Sequence, residues 1–311
     1  MTAGEKILTI VIPVFNRANC VCETLDSIAA QDTRDFALIL VDNNSSDQTL
    51  EVLRNWAESH PDIPVEVIVE KRPNASAARN AGLERVKTEW TLFFDSDDLM
   101  ENHHISRVVR NICSNPEIDL WGWDTIQEYR KTSKGKFPAK PTHWSNLLNG
   151  NFATQRYIAR TSLFREVGGW DSEITLWDDI ELGTRILEAR PRIRKIDYFG
   201  QPLSVRVRRS EISISGTDWT NQLSRIEKAM LPISLTLGPS RSFLADIKRA
   251  HAYGCAAREN RYLAEPYMNA LLKQQSSLRN RILLRFLYST TRLGIRGTHH
   301  LLRICMEGRL K

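Results

Sequence analysis

Along the first two thirds of the chain, short runs of β-branched and aromatic residues alternate with stretches whose apolar residues recur every three or four positions. Ile7-Leu8-Thr9-Ile10-Val11-Ile12-Pro13 is continuous and ends at a proline, the pattern of a parallel strand buried on both faces. Val21, Leu25 and Ile28 then mark a helix between Ala18 and Gln31. Phe36–Val41 repeats the strand pattern and ends at Asp42, and Leu50, Leu53, Trp56 and Ala57 repeat the helical one. Val65–Val69, a helix from about Ser76 to Val86, and the run Trp90-Thr91-Leu92-Phe93-Phe94 follow, then a helix lined by Ile105, Val108, Val109 and Ile112 and a strand starting at Ile118. Strand and helix alternate at least four times, which predicts an α/β fold with a mostly parallel, doubly wound central sheet and helices on both faces.

The middle of the chain is less regular. Lys131–Pro141 is basic, rich in small residues and carries two prolines, which predicts an exposed, mobile loop. Arg156–Ala159 reads as a short strand, and Thr161–Val167 as a helix ended by Gly168-Gly169. Trp177-Asp178-Asp179-Ile180-Glu181-Leu182 opens another helix. After Leu203–Val207 strand signals fade, and Trp219 to about Leu271 reads as helical. The boundary falls near residue 215, with residues 216–311 a helical extension.

Composition adds little until charge is located. The 311 residues carry 43 Lys+Arg and 37 Asp+Glu, a net of +6. From Lys273 onward nine basic residues face a single acid, Glu307, so the tail is +8 and residues 1–272 are −2. The main body therefore lacks the basic surface of a nucleic-acid-binding protein. No run of ~18 apolar residues exists to span a membrane. The N-terminus has no signal-peptide cleavage pattern. The five cysteines, Cys20, Cys22, Cys113, Cys255 and Cys305, are odd in number and scattered. Reduced thiols in a cytoplasmic protein are the expectation.

Candidate chemistry gathers at strand ends, where sheets of this kind bind ligands. Asn16 and Arg17, Asp42, and Asp95-Ser96-Asp97-Asp98 each follow a predicted strand. Three carboxylates within four residues disfavour one another's ionisation, and a divalent metal with oxygen ligands relieves that. The same acids equally suit a helix start. No Gly-x-Gly-x-x-Gly or Walker lysine loop follows the first strand, which weakens the ordinary dinucleotide and P-loop readings.

Taken in order, Ile12-Pro13-Val14-Phe15-Asn16-Arg17, Val41–Thr49, Asn74-Ala75-Ser76-Ala77-Ala78-Arg79-Asn80-Ala81-Gly82, Phe94-Asp95-Ser96-Asp97-Asp98, and Gly168-Gly169-Trp170-Asp171 with Trp177–Leu182 resemble the motifs of family 2 glycosyltransferases of the GT-A fold. The resemblance covers roughly the first 215 residues. It implies a nucleotide-sugar half over about 1–125, an acceptor half over about 126–215, and transfer with inversion to a hydroxyl of a glycan or lipid-linked acceptor, as in surface-polysaccharide or glycolipid assembly. It puts Pro13, Phe15, Asn16, Arg17, Asp42, Asn74, Arg79, Asp95 and Ser96 on the nucleotide, which is expected to be a UDP-sugar, with Asp42 accepting from the base. Asp97, with Asp95 and Asp98, is expected to hold magnesium or manganese, and Asp179, with Asp178 as fallback, to be the general base. Trp170 and Trp177 are the aromatic candidates for the acceptor, whereas Trp121 reads as core. One departure is clear: Arg208 stands where many relatives carry a histidine. Arginine stays protonated and ligates metals poorly, so either the metal lacks a protein ligand here or Arg208 contacts the diphosphate directly.

Two further classes remain possible on the residues alone. A nucleotidyltransferase would also use an acidic metal site, but leaves Asp178-Asp179 unexplained. A sugar-nucleotide-binding module without catalysis would bind donor and transfer nothing. In the tail, Ile282, Leu283, Phe286, Leu287 and Leu293 read as one apolar face beside Arg281, Arg285 and Arg292. That pattern suits either an anionic membrane surface, giving peripheral attachment at the inner face of the cytoplasmic membrane, or a helix packed on the protein.

Overall fold

The computed structural model describes residues 6–128, 133–198, 204–208, 218–239 and 241–295. The chain divides into two compact units, Met1–Ser213 and Ile214–Lys311. The first is built on a seven-stranded sheet. Strands β1 (Leu8–Val14), β2 (Phe36–Asp42), β3 (Val65–Val69) and β4 (Trp90–Phe93) alternate with helices α1 (Val21–Ala29), α2 (Thr49–Ser59) and α3 (Ala75–Arg85). A two-residue strand β5 (Leu99–Met100), helix α4 (His104–Ser114), and strands β6 (Leu120–Gly122), β7 (Thr125–Gln127) and β8 (Ser133–Gly135) come next. They are followed by helix α5 (His143–Asn149), strand β9 (Tyr157–Arg160), helices α6 (Thr161–Glu166) and α7 (Asp178–Glu188), and strands β10 (Ile193–Lys195) and β11 (Val205–Val207).

The large sheet runs β10-β6-β9-β4-β1-β2-β3. All neighbours are parallel except β9, which lies antiparallel between β4 and β6. Apolar residues on both faces explain the continuous character of β1: Leu8, Ile10 and Ile12 join one core with Leu25, Leu53 and Ile105, while Val11 joins another with Leu83, Phe164 and Leu182. Successive side chains of a strand point to opposite faces, so each run feeds both layers. α3 lies close against β1. A Cβ on Gly82 would stand 2.3 Å from Val11 Cγ1, so glycine is what lets the helix approach.

A smaller sheet, β5-β11-β7-β8, stands beside the first. It corrects the expectation of a mobile 131–141 loop: Ser133–Gly135 is a strand paired with β7, and Phe137 is buried against Gly122. Lys131 and Thr132 lie outside the described residues. Trp121 is in the core as expected. Cys20, Cys22, Cys113 and Cys255 form no disulfide, and Cys305 lies outside the described residues.

The second unit contains helices α8 (Leu223–Leu237), α9 (Phe243–Glu259), α10 (Arg261–Gln274) and α11 (Leu278–Arg292). α9 packs against each of the others. No described helix is long and apolar enough to cross a membrane.

Candidate active site

The register of the large sheet sets the site. Val14 of β1 pairs with Asp42 of β2, and Val11 with Phe93 of β4. The loops leaving these three strands therefore start at one rim. Asn16 adopts a left-handed backbone, φ 50°, a conformation in which asparagine is enriched. This turns the β1 loop onto the β2 loop. The Asn16 N–H donates to Ser45 Oγ (3.0 Å), the Ser46 N–H donates to Asn16 Oδ1 (2.8 Å), and the Arg17 N–H donates to Thr49 Oγ1 (2.8 Å). Phe15 is half exposed at the rim, and Pro13 sits within β1.

Asp42 is buried. Its Oδ2 accepts from the Ser45 N–H (3.2 Å), while Oδ1 is buried and accepts from no described group. A buried acceptor without a donor is costly, so a bound group that donated there would be stabilised.

Asn74 caps α3 by accepting from the Ser76 N–H at 2.7 Å, and its amide donates to the Ser172 carbonyl. One turn on, Arg79 joins the two halves of the unit. Its Nη2 donates to Asp95 Oδ1 (3.1 Å) and its Nη1 to Asp178 Oδ2 (2.9 Å). The guanidinium carbon lies 4.4 Å from the centre of the Trp170 ring. Asp95 Oδ2 accepts from Thr154 Oγ1 (3.0 Å), and Asp178 Oδ2 also accepts from Ser76 Oγ (3.2 Å). A planar fork suits bridging two carboxylates in this way. Asn80, the next residue, clamps the Trp170 backbone: its amide donates to the Trp170 carbonyl (2.7 Å) and its oxygen accepts from the Trp170 N–H (2.8 Å). Gly169, at φ 68°, has no room for a Cβ because Asn80 Oδ1 would lie 2.6 Å away.

The three acids after β4 have different surroundings. Both oxygens of Asp95 accept hydrogen bonds, as above. Asp97 is partly exposed, with Oδ2 3.8 Å from Arg17 Nη2. Asp98 is buried. Its Oδ1 accepts from the Arg208 N–H (2.8 Å), and Oδ2 is buried without a described partner. Burial, reinforced by the charges of Asp95 and Asp97, pushes the Asp98 carboxyl well above the usual range. Ser96 is also buried, and its carbonyl accepts from Thr24 Oγ1 at 3.0 Å.

These positions bear on two expectations. Asp98 faces inward and Asp95 is held on both oxygens, so the acid cluster is not a three-carboxylate cage. Among the described residues no group of three or more His, Cys, Asp and Glu is arranged to hold a metal ion. Arg208, the candidate for the diphosphate, braces this loop from β11. Its Nε donates to the Asp97 carbonyl (2.6 Å) and its Nη1 pairs with Glu23.

At the start of α7, Trp177 takes a left-handed backbone, φ 60°, unusual for a bulky side chain and worth about 1–3 kcal/mol of strain that the fold must hold. Asp178 and Asp179 open the helix. Asp179 Oδ1 accepts from the Ile180 N–H (2.8 Å), and a Cβ on Gly150 would lie 3.7 Å from Asp179 Oδ2. Arg185 anchors the turn before the helix through Gly169 O (2.7 Å) and its pair with Glu181. Trp170 is a further correction: it is buried, edge-on to Phe93, with its face under Arg79, so it offers nothing to an acceptor. Trp177 is partly exposed.

Thr154, Ser76 and Asn80 escaped the sequence reading as site residues. Ser76 and Asn80 lie inside the Arg79 motif and were legible there. Thr154 carries no signal, because only the fold brings it to Asp95.

The fold is GT-A. The chain is similar over 96% of its length to 91% of the S. aureus TarS 1–349 crystal structure with UDP-GlcNAc (17% identity, TM-score 0.68). It is also similar over 98% of its length to 87% of a Pyrobaculum calidifontis mannosyltransferase in complex with GDP-Man and Mn2+ (18% identity, TM-score 0.57). Among curated relatives it is 25% identical to an uncharacterized glycosyltransferase of Haemophilus influenzae, over 87% of this chain and 92% of that one. It is 29% identical to a PGL/p-HBAD biosynthesis glycosyltransferase of Mycobacterium bovis over 59% of this chain and 75% of that one. The match to the Streptococcus pneumoniae glycosyltransferase GlyA, at 30% identity, involves 36% of this chain and only 16% of that protein's length. Residues 9–167 match the model of glycosyl transferase family 2, and the chain is a glycosyltransferase belonging to that family.

Proposed function

We propose that this glycosyltransferase moves a sugar from a nucleoside-diphosphate donor, a UDP-sugar by preference, to a hydroxyl of a glycan or lipid-linked acceptor, with inversion. The observation that carries the reading is Arg79, which ties Asp95 of the donor motif to Asp178 of the acceptor motif through one guanidinium. The neighbouring structures in complex with UDP-GlcNAc and GDP-Man support a sugar nucleotide as donor. The mycobacterial relative's name supports a glycolipid or surface-polysaccharide setting.

In this reading the unmatched Oδ1 of Asp42 accepts the imide N–H of a uracil base. Phe15, Asn16 and Arg17 border the nucleotide, and Arg17 reaches toward the diphosphate beside Asp97. Asp95, steadied by Arg79 and Thr154, faces the ribose. Asp179 takes the proton from the acceptor hydroxyl as its oxygen attacks the anomeric carbon from the side opposite the diphosphate. A single displacement of this kind inverts the configuration. Trp177 borders the acceptor.

The donor set fits a magnesium or manganese ion only in a sparse form. Asp97 would supply one carboxylate and the donor's phosphates the remaining oxygens, as is common for magnesium. Such an ion, when bound, neutralises charge on the departing diphosphate. The test is donor hydrolysis by the purified protein over a panel of UDP- and GDP-sugars, with and without manganese. Turnover of one donor is expected, and failure with every donor overturns the reading. Asp97→Ala should also abolish the manganese dependence of UDP affinity measured by calorimetry, while Asp98→Asn should leave it.

A further inference from the structure

Helix α11 carries two apolar faces where the sequence suggested one. Leu284, Leu287, Tyr288 and Thr291 are buried within the helical unit. Thr291 and the Tyr288 carbonyl lie so close to α9 that a Cβ on Gly254 would stand 2.7 and 2.9 Å from them. Leu278, Ile282, Phe286 and Leu293 are instead 70%, 60%, 50% and 70% exposed. At ~100° per residue these four fall within roughly 80° of arc, opposite the buried face. Exposed apolar residues scattered singly need no explanation, whereas a contiguous stripe marks a surface for binding.

The stripe has basic borders. By the same helical geometry Arg281, Arg285 and Arg292 run along one side and Arg279 along the other. Arg281 is held there by donation from Nε to the Gln275 carbonyl (2.7 Å), and Arg285 by its pair with Glu265 (2.9 Å). Arg296, Arg303, Arg309 and Lys311 follow in sequence, against the single acid Glu307.

This chemistry chooses among occupants. A second copy would set one +8 segment against another, and like charge opposes that pairing. A nucleic acid would use the arginines and leave leucine, isoleucine and phenylalanine without a partner. An anionic bilayer takes both, with acyl chains meeting the apolar stripe and headgroup phosphates the arginines. We infer that the exposed face of α11 docks on an anionic membrane surface, with Leu278, Ile282, Phe286 and Leu293 seated at the headgroup–acyl boundary. The inference goes beyond the proposed reaction and does not depend on it.

Because α11 packs on α9, removing the segment would damage the unit, and point variants of the full chain are the proper probe. The protein is sedimented with vesicles of phosphatidylcholine alone and of phosphatidylcholine mixed with phosphatidylglycerol. Binding to the mixed vesicles only is expected, falling as salt rises. Ile282→Ser/Phe286→Ser should weaken it by about tenfold or more, and Arg279→Gln/Arg292→Gln by a similar factor. Both double variants should keep the wild-type far-UV circular dichroism and thermal midpoint, since the altered side chains lie on the exposed face or its border. Equal binding to neutral vesicles, no binding to either, or unchanged binding by the folded double variants overturns the inference. So does a wild-type dimer in sedimentation velocity that Ile282→Ser/Phe286→Ser dissolves, since that assigns the stripe to a second copy.

Discussion

Asp178 and Asp179 are adjacent in sequence and open the same helix. Asp178 Oδ2 is held by Arg79 and Ser76, whereas Asp179 contacts the start of its own helix and lies beside Gly150. A base must reach a substrate proton rather than serve a fixed ion pair, which counts against Asp178, and Asp179 is the proposed base. Asp179→Asn should lower the transfer rate by ~10²–10⁴-fold, the usual worth of a general base, with nucleotide affinity unchanged by calorimetry. Near-normal transfer would refute the assignment. Arg79→Lys tests the bridge, because one ammonium cannot span Asp95 and Asp178 as a fork does. Losing one charge-assisted bond should cost on the order of 1–3 kcal/mol in urea unfolding, and transfer should fall with stability. The motif acids were legible from type and spacing. Their division of labour was not, since it depends on Arg79 reaching 99 positions along the chain to Asp178. Trp170 misled for a related reason: a tryptophan suits a sugar face or a core equally, and only packing decides.

Among elements, the contact between α3 and β1 governs how the site is held. Gly82 lets the helix lie on Val11, and Arg79 projects from the same helix one turn earlier. In Gly82→Ala the added methyl meets Val11 Cγ1 at 2.3 Å and Val41 Cγ2 at 3.2 Å. Overpacking of this kind costs about 1–3 kcal/mol and should move Arg79 off its partners, lowering transfer as well as the urea midpoint. Val11→Ala in the same chain should recover part of both losses, a coupling expected for residues in contact. Additive losses would mean that the helix does not depend on this approach. The long strands and amphipathic helices around this contact were legible because each presents several periods of its pattern. β5, β7, β8, β10 and β11 have two or three residues each, too few for alternation to register, and their pairing is decided by distant partners. The antiparallel entry of β9 between β4 and β6 belongs to the same class. So do the two faces of α11: Leu287 is buried and Phe286 half exposed, a distinction that hydrophobicity alone does not draw.

For the whole molecule, one histidine away from the site makes stability depend on pH. His104 is fully buried between Ser204, whose Oγ lies 2.7 Å from Nδ1, and the Trp123 ring. Burial, with smaller contributions from Arg107 and His103, lowers its pKa from 6.5 to about 3. The folded protein therefore keeps this imidazole neutral while the unfolded chain protonates it near pH 6.5. Between pH 6.5 and about 3 the unfolded state binds one more proton, so stability rises with pH and is lost on acidification. The slope is about 1.4 kcal/mol per pH unit, or roughly 2 kcal/mol by pH 5. Below the folded pKa both states are protonated and this contribution stops changing. His104→Asn retains a polar group for Ser204 but does not titrate. Urea unfolding at pH 7 and pH 5 should show the wild type losing about 2 kcal/mol more than the variant over that interval. Parallel losses would place the acid sensitivity elsewhere. The contribution is local: it follows from one buried neutral imidazole, which nothing in a sequence with seven histidines singles out.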